Sequence, residues 1–255
     1  MMRFTVLASG SGGNATLVCG GGTRVLLDCG IGATTLRRQL SKRGLSLEDI
    51  DAVVITHEHA DHVAGAASLL RRRQLPLWMT EGTRLAWIGA PPAAAIQCFD
   101  PQRPFAIGAL QIEPYTVPHD AREPCQYVFS DGQSRIGILS DAGHVTPWMR
   151  TRLSACDALL LEFNHDAQML EHGPYPAALR RRVGGQWGHL SNRQAAELLT
   201  ALDCSRLQHL VAIHLSQKNN TPEHAARAAA EALGCDPGWI GCASQRDGLD
   251  WREVH

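Results

Sequence analysis

The stretch His57-Glu58-His59-Ala60-Asp61-His62 directly follows an apolar run, Ala52-Val53-Val54-Ile55-Thr56, that reads as a buried strand. Imidazoles stand at i, i+2 and i+5, with a carboxylate at i+4. Zinc and similar cations take neutral imidazole nitrogens and carboxylate oxygens at about 2.0–2.2 Å. A loop leaving a strand can turn His57 and His59 toward one ion. Where the chain then enters a helix, Asp61 and His62 are presented toward a second. One loop cannot complete two coordination shells, so further donors must come from elsewhere. The chain offers them at three other strand ends: Val117-Pro118-His119-Asp120, Leu139-Ser140-Asp141-Ala142 and Ala212-Ile213-His214-Leu215. A carboxylate has two oxygens, so Asp141 could bridge two ions and help hold a hydroxide between them.

Outward from this cluster, strand and helix patterns alternate. Residues 4–7, 15–18, 23–28, 127–130, 135–139, 159–161 and 210–213 read as strands, with an Asp131-Gly132 turn joining the fourth and fifth. Helices are expected over 33–43 with Gly44 as C-cap, over 63–73, 147–155 and 191–202, and from Pro222 to 232. Ser46 and Asp49 resemble a capping box, and the tail from 239 to 251 reads as a final hairpin around Asp247-Gly248. No linker divides the chain, so residues 1–255 are expected to form one α/β domain, two sheets inside flanking helices.

With 44% apolar and 19% charged residues, a chain of 255 can bury its core without disulfides. The eight cysteines form no C-x-x-C pair and read as buried reduced thiols, and the expected location is the cytoplasm. No run approaches the roughly 18 apolar residues of a membrane span. The N-terminal apolar run is too short for a signal peptide. A net charge of -1 argues against a broad basic footprint for nucleic acid. It does not exclude a nuclease, because bound divalent ions would reverse the local charge. The runs Arg71-Arg72-Arg73 and Arg180-Arg181-Arg182 both suit helix C-termini. The second adjoins candidate site residues, where it could contact phosphate.

The HEHADH motif, Asp28 in Leu-Leu-Asp-Cys-Gly, His119, Asp141 and His214 together resemble, in order, the five motifs of the metallo-β-lactamase fold superfamily. That resemblance covers nearly the whole chain. It implies an αββα four-layer sandwich of two mixed sheets flanked by helices. It also implies two divalent ions per chain, zinc foremost, with manganese or iron compatible. By it, His57, His59 and His119 hold the first ion. Asp61, His62 and His214 hold the second, Asp141 bridges, and Asp28 orients a metal-site histidine from behind. The true β-lactamases lack a metal-binding His at the position of His62, whereas glyoxalase II enzymes share all seven ligands. Glu162 and His189 resemble a pair that serves proton transfer in the tRNase Z group. Ala-Ser-Gly-Ser-Gly-Gly-Asn-Ala at 8–15, Glu-Phe-Asn-His-Asp at 162–166, Gly-His-Leu-Ser-Asn at 188–192 and His-Leu-Ser-Gln-Lys-Asn-Asn at 214–220 are similar to the YycJ/WalJ-like group, regarded as exonuclease-like phosphodiesterases.

Phosphodiester cleavage needs a nucleophile, neutralised phosphoryl oxygens and a proton for the leaving alkoxide. The expected catalytic set is Asp61, Glu162 and His189. The expected substrate is a phosphodiester, DNA or RNA ends, with no membrane partner. Ser9, Ser11 and Asn14 of the Gly/Ser-rich loop, with Asn164, His165 and Ser216, are candidates for substrate contact, and His144 could also face the site. The alternatives are a glyoxalase II-like thioester hydrolase, a small-molecule phosphodiesterase, or a scaffold that binds metal without catalysis.

Overall fold

A computed structural model describes residues 1–92 and 95–255 of the chain. The first half opens with β1 (Met2–Ala8), β2 (Ala15–Gly20) and β3 (Thr23–Leu27), an antiparallel meander. β4 (Ala52–Val54), β5 (Leu77–Met79) and β6 (Ile96–Cys98) then add in parallel. The helices α1 (Ala33–Ser41), α2 (Ala60–Val63), α3 (Ala66–Arg72) and α4 (Glu81–Ala86) lie in the crossovers. The second half places β7 (Phe105–Ile107), β8 (Leu110–Thr116), β9 (Cys125–Ser130) and β10 (Arg135–Leu139) antiparallel. β11 (Ala158–Glu162), β12 (His209–Ile213) and β13 (Gly241–Cys242) continue in parallel. Its helices are α5 (Pro147–Leu153), α6 (Ala167–His172), α7 (Ala177–Val183), α8 (Asn192–Ala201) and α9 (Pro222–Leu233). A last strand, β14 (Leu249–Val254), returns to β1. The result is two seven-stranded mixed sheets, ordered β14-β1-β2-β3-β4-β5-β6 and β13-β12-β11-β10-β9-β8-β7.

Three apolar layers account for this architecture. Phe4, Val18 and Val25 of the first sheet meet Ile112, Tyr127, Ile138, Leu160 and Val211 of the second in one shared core. On the outer faces, Leu36, Leu40 and Leu69 cover the first sheet, while Met149, Leu198 and Ala229 cover the second. β2 and β11 are buried along their whole length, as strands covered on both faces must be. This is the expected four-layer sandwich.

Three local expectations need correction. The helix expected over 63–73 is two helices, one already begun at Ala60. The break falls at Gly65, where a Cβ would stand 1.9 Å from the Ile31 carbonyl oxygen. The Gly65 N–H is there drawn off to the Cys29 carbonyl (2.8 Å). The expected tail hairpin is instead a strap between sheets. β13 pairs with β12 and β14 with β1, leaving a single bridge, Ser244 to Gly248, between the two limbs. The thiols also divide. Cys19, Cys29, Cys125 and Cys156 are buried, Cys98 is exposed, the other three are half-buried, and all eight are free.

The parallel strands position the functional loops. β3 and β4 in one sheet, and β10, β11 and β12 in the other, all end beside one cleft. That is where α/β folds gather such loops.

Candidate active site

Three side chains at this edge stand on strained backbone. Asp28, Asp141 and His214 follow β3, β10 and β12, and each has φ between 55° and 58°. Non-glycine residues seldom occupy this left-handed region, and it persists where surroundings over-determine it. The strand ends at Asp141 and His214 thereby turn their side chains into the cleft, and the one at Asp28 turns its carboxylate onto His62 behind it.

The donors meet there. His57, His59 and His119 offer nitrogen atoms within 4.8 Å of one another, as do the donor atoms of Asp61, His62 and His214. Asp141 lies between these groups, joining His57 and His62 in one set and Glu162, His189 and His214 in another. Glu58, inside the same hexapeptide, is not among them; its carboxylate accepts the Arg122 N–H instead (2.7 Å).

Each histidine is tethered by one nitrogen. His62 Nδ1 donates to Asp28 Oδ2 at 2.7 Å, and Asp28 Oδ1 in turn accepts the Thr56 N–H at 2.9 Å. The Thr56 hydroxyl lies 3.0 Å from His57 Nδ1. His119 Nδ1 donates to the Gly188 carbonyl (3.0 Å), and His59 Nε2 to the Asp120 carbonyl (3.2 Å). Of the remaining nitrogens, His119 Nε2 lies 3.3 Å from His59 Nδ1, and His62 Nε2 lies 3.1 Å from Asp141 Oδ2. Such tethering fixes ring and tautomer so that a lone pair points at a cation. His57 Nε2 is fully buried without any hydrogen-bond partner. An orphaned buried acceptor asks for an explanation, and this donor set of imidazoles and carboxylates fits a divalent ion. Thr56 was not foreseen from sequence. As one β-branched residue ending a strand, it carries no separate signal.

Beside the cluster stands an acid–imidazole pair. Glu162 is completely buried, and its Oε2 accepts two backbone N–H groups, from Ala142 and Leu190, both at 3.1 Å. Its Oε1 accepts from His189 Nδ1 at 2.8 Å and lies 3.3 Å from His214 Nδ1. The glutamate is thereby pinned from the backbone and holds His189, which opens into the pocket.

Charge and burial compete throughout. Burial lowers His57 and His119, the first far below the ordinary imidazole range. Burial would also lower His62, but the Asp141 and Asp28 carboxylates overcome it and raise the ring well above 6.5. Against the same burial, Glu162 and Asp141 lift His189 to about 10, and Asp141 with Asp61 lifts His214 to about 9. The carboxylates answer in kind. Burial would raise Asp61, Asp141 and Glu162, yet their histidine partners hold all three below their ordinary values, Glu162 at about 2.

The pocket over these groups encloses ≈ 220 Å³. Of the candidates for substrate contact, Ser11, Asn164 and Ser216 line it, together with Tyr175, Asp120 and Arg182. Arg182 Nε donates to Asp120 Oδ2 at 2.6 Å, so the second arginine run does reach the site. Three of the candidates for substrate contact do not line this pocket. The Ser9 hydroxyl accepts the His214 backbone N–H (2.7 Å) and faces away from the pocket. The Asn14 carboxamide oxygen accepts the Gly10 N–H (2.8 Å), and its Nδ2 lies 3.2 Å from His62 Nε2 and 3.4 Å from Asp61 Oδ2, among the donor atoms themselves. His165 points into a different groove, beyond the pocket wall. His144 does not line the pocket either; its Nδ1 bonds the Gln186 carbonyl (3.0 Å).

The chain can be compared with known proteins on this footing. The model of the beta-lactamase superfamily domain matches residues 23–215. The exodeoxyribonuclease YycJ of Bacillus anthracis is 31% identical over 235 residues, spanning 91% of this chain and 89% of its own length. The exodeoxyribonuclease WalJ of Streptococcus pneumoniae serotype 2 is 32% identical over 226 residues, 87% of this chain and 84% of its own. Among solved structures, the metallo-beta-lactamase fold protein YhfI from Bacillus subtilis superposes with a TM-score of 0.77 at 18% identity, covering 99% of this chain and 100% of that one. The matched segment holds all the strand ends that meet at the histidine cluster, and the chain accordingly belongs to the beta-lactamase superfamily, as an enzyme of the metallo-β-lactamase fold.

Proposed function

We propose that the chain hydrolyses nucleic acid phosphodiesters from an end, at a centre of two divalent ions. His57, His59 and His119 would hold one ion, Asp61, His62 and His214 the other, with Asp141 between them. Ions bound there would neutralise the phosphoryl oxygens and bring a water's pKa toward neutrality. The names of the YycJ and WalJ relatives support a DNA substrate.

The single observation that carries the reading is the Glu162–His189 pair at the pocket wall. Glu162 accepts from Nδ1 and keeps His189 protonated, leaving the opposite ring edge free to give a proton to a departing oxygen. A thioester or an activated ester departs without that proton. An alkoxide from a sugar does not. Asp61, held ionised by His214 and His62, orders the neighbouring histidines rather than moving a proton itself.

His189→Ala tests this directly. Hydrolysis of end-labelled single-stranded DNA is expected to fall by about 10²–10⁴-fold, the usual worth of a positioned acid. Bis-p-nitrophenyl phosphate, with its activated leaving group, should lose far less. An equal loss on both substrates would remove the acid role. Brisk turnover of an acyl-glutathione thioester, unaffected by His189→Ala, would favour a carbonyl hydrolase instead.

A further inference from the structure

Helix α7 separates two cavities. Tyr175, Leu179 and Arg182 close one side of the metal pocket, whereas Arg180, Arg181 and His165 line an open groove of ≈ 620 Å³ on the other. Successive helical residues turn by about 100°, so three consecutive arginines straddle the ridge between the cavities. No residue of α7 is buried. The helix is a wall with two working faces and contributes nothing to the core.

The floor of the groove is the chain next to the catalytic pair. His165 follows Asn164, and Ser191 lies two residues past His189; a β-bridge joins His165 to Ser191. His165 is only 3% exposed. Its Nδ1 lies 3.4 Å from Asn164 Oδ1, and its Nε2 has no hydrogen-bond partner among the described residues. Ser191 caps the ten-residue helix α8, whose positive dipole end therefore opens here, with Arg193 in its first turn. One carboxylate, Glu171, lines the groove against three arginines. Arg180 is bonded to the Glu171 carbonyl and Arg193 to Glu197. Arg181 makes no ion pair among the described residues.

We propose that this groove is a second phosphate-binding site, which takes the backbone of a single-stranded polynucleotide adjoining the scissile phosphate. The strand leaves the metal pocket past Arg182, crosses α7, and sets its next phosphates against Arg181, Arg193 and the buried His165. A helix is about 10–12 Å across, and duplex DNA, stiff over about 50 nm, cannot turn over so narrow a ridge. A flexible strand can. The proposal rests on the phosphodiesterase reading and adds which substrates of that class are preferred, by length and by strandedness.

The test uses the metal-loaded protein and the double variant Arg181→Ala/Arg193→Ala, both exposed side chains outside the catalytic pocket. Arg71→Ala/Arg72→Ala removes the same charge at the end of α3 as a control. A hydrolysis-resistant phosphorothioate oligothymidylate twelve nucleotides long measures binding, and dTpdT measures turnover without the groove. The groove variant is expected to bind the oligomer at least tenfold more weakly. Its log–log salt slope should be shallower by about 1.4, the loss of two phosphate contacts to a single strand. Its turnover of dTpdT should stay within twofold of the parent, and the control variant should match the parent on both. Equal losses on oligomer and dinucleotide, or an equal loss in the control, would overturn the groove. A parent that binds the oligomer through these arginines yet cleaves no phosphodiester would overturn the catalytic reading and leave the groove standing. A parent that cleaves strands while the groove variant binds and cuts them as well would do the reverse.

Discussion

Asp28 makes no contact with the pocket, yet two histidines depend on it. Its carboxylate receives His62 Nδ1 at 2.7 Å and the Thr56 N–H at 2.9 Å, and through the Thr56 hydroxyl it braces His57. Removing such a partner from behind a ligating histidine typically costs 10–100-fold in metal affinity. Asp28→Asn keeps the shape of the site and loses its charge. Chelator competition should therefore show divalent-ion affinity lowered by about 10–100-fold; affinity equal to the parent's would show that the ring needs no carboxylate behind it. At this scale the sequence was highly legible for the histidines and acids, because donor types at strand ends advertise themselves. It was poorly legible for serines and asparagines. Ser9, Asn14 and Ser216 all sit near the cleft, but a hydroxyl or amide serves a backbone turn as readily as a ligand, and only the folded arrangement shows that Ser9 holds the His214 N–H.

The element that sets the geometry is the turn after β3. Residues 28–31 and the adjoining Asn14 are laced onto the helices of the HEHADH motif: Cys29 N–H bonds the His62 carbonyl, Gly65 N–H bonds the Cys29 carbonyl, and Asn14 N–H bonds the Asp61 carbonyl, each at 2.8 Å. Gly30 is required here by close approach, since a Cβ would lie 1.7 Å from the Asp61 carbonyl oxygen. Gly30→Ala must push Asp61 and His62 outward. Overpacking of this kind costs about 1–3 kcal/mol or more, so thermal melting should show clear destabilisation together with lost metal binding. Gly32→Ala, with open space around its Cβ, should cost under about 1 kcal/mol. Comparable behaviour of the two variants would mean that the lacing does not matter. Helix starts were legible at this scale because caps are local, as at Ser191 and Ser46. The break at Gly65 and the strap formed by residues 241–254 were not. Both depend on which distant carbonyl or strand edge lies alongside.

Across the whole molecule, the buried charges link stability to pH in opposite senses with and without ions. In the ion-free protein the raised histidines contribute stability that is complete below pH 6.5 and is lost as pH rises through about 9 for His214 and about 10 for His189. The depressed carboxylates contribute stability present above their ordinary range and lost as acid approaches about 2, the value for Glu162. Ions bind imidazole only after its proton leaves, so loading reverses the alkaline trend. Melting curves with chelator should fall in Tm from neutral pH to pH 10, whereas melts with excess zinc or manganese should rise over the same approach to alkalinity. Parallel curves would mean that the ions do not displace these protons. The sequence by itself determined the donor types, their order along the chain and the strand-then-loop context of each, because alternation of apolar runs and the spacing within HEHADH are local properties. Only the tertiary structure decided that β3, β4, β10, β11 and β12 end at one cleft, that Glu162 is pinned by two backbone N–H groups, and that α7 divides a histidine-lined pocket from an arginine-lined groove. Those facts arise from sheet-on-sheet packing and from close approaches between residues far apart in the chain, which no local pattern encodes.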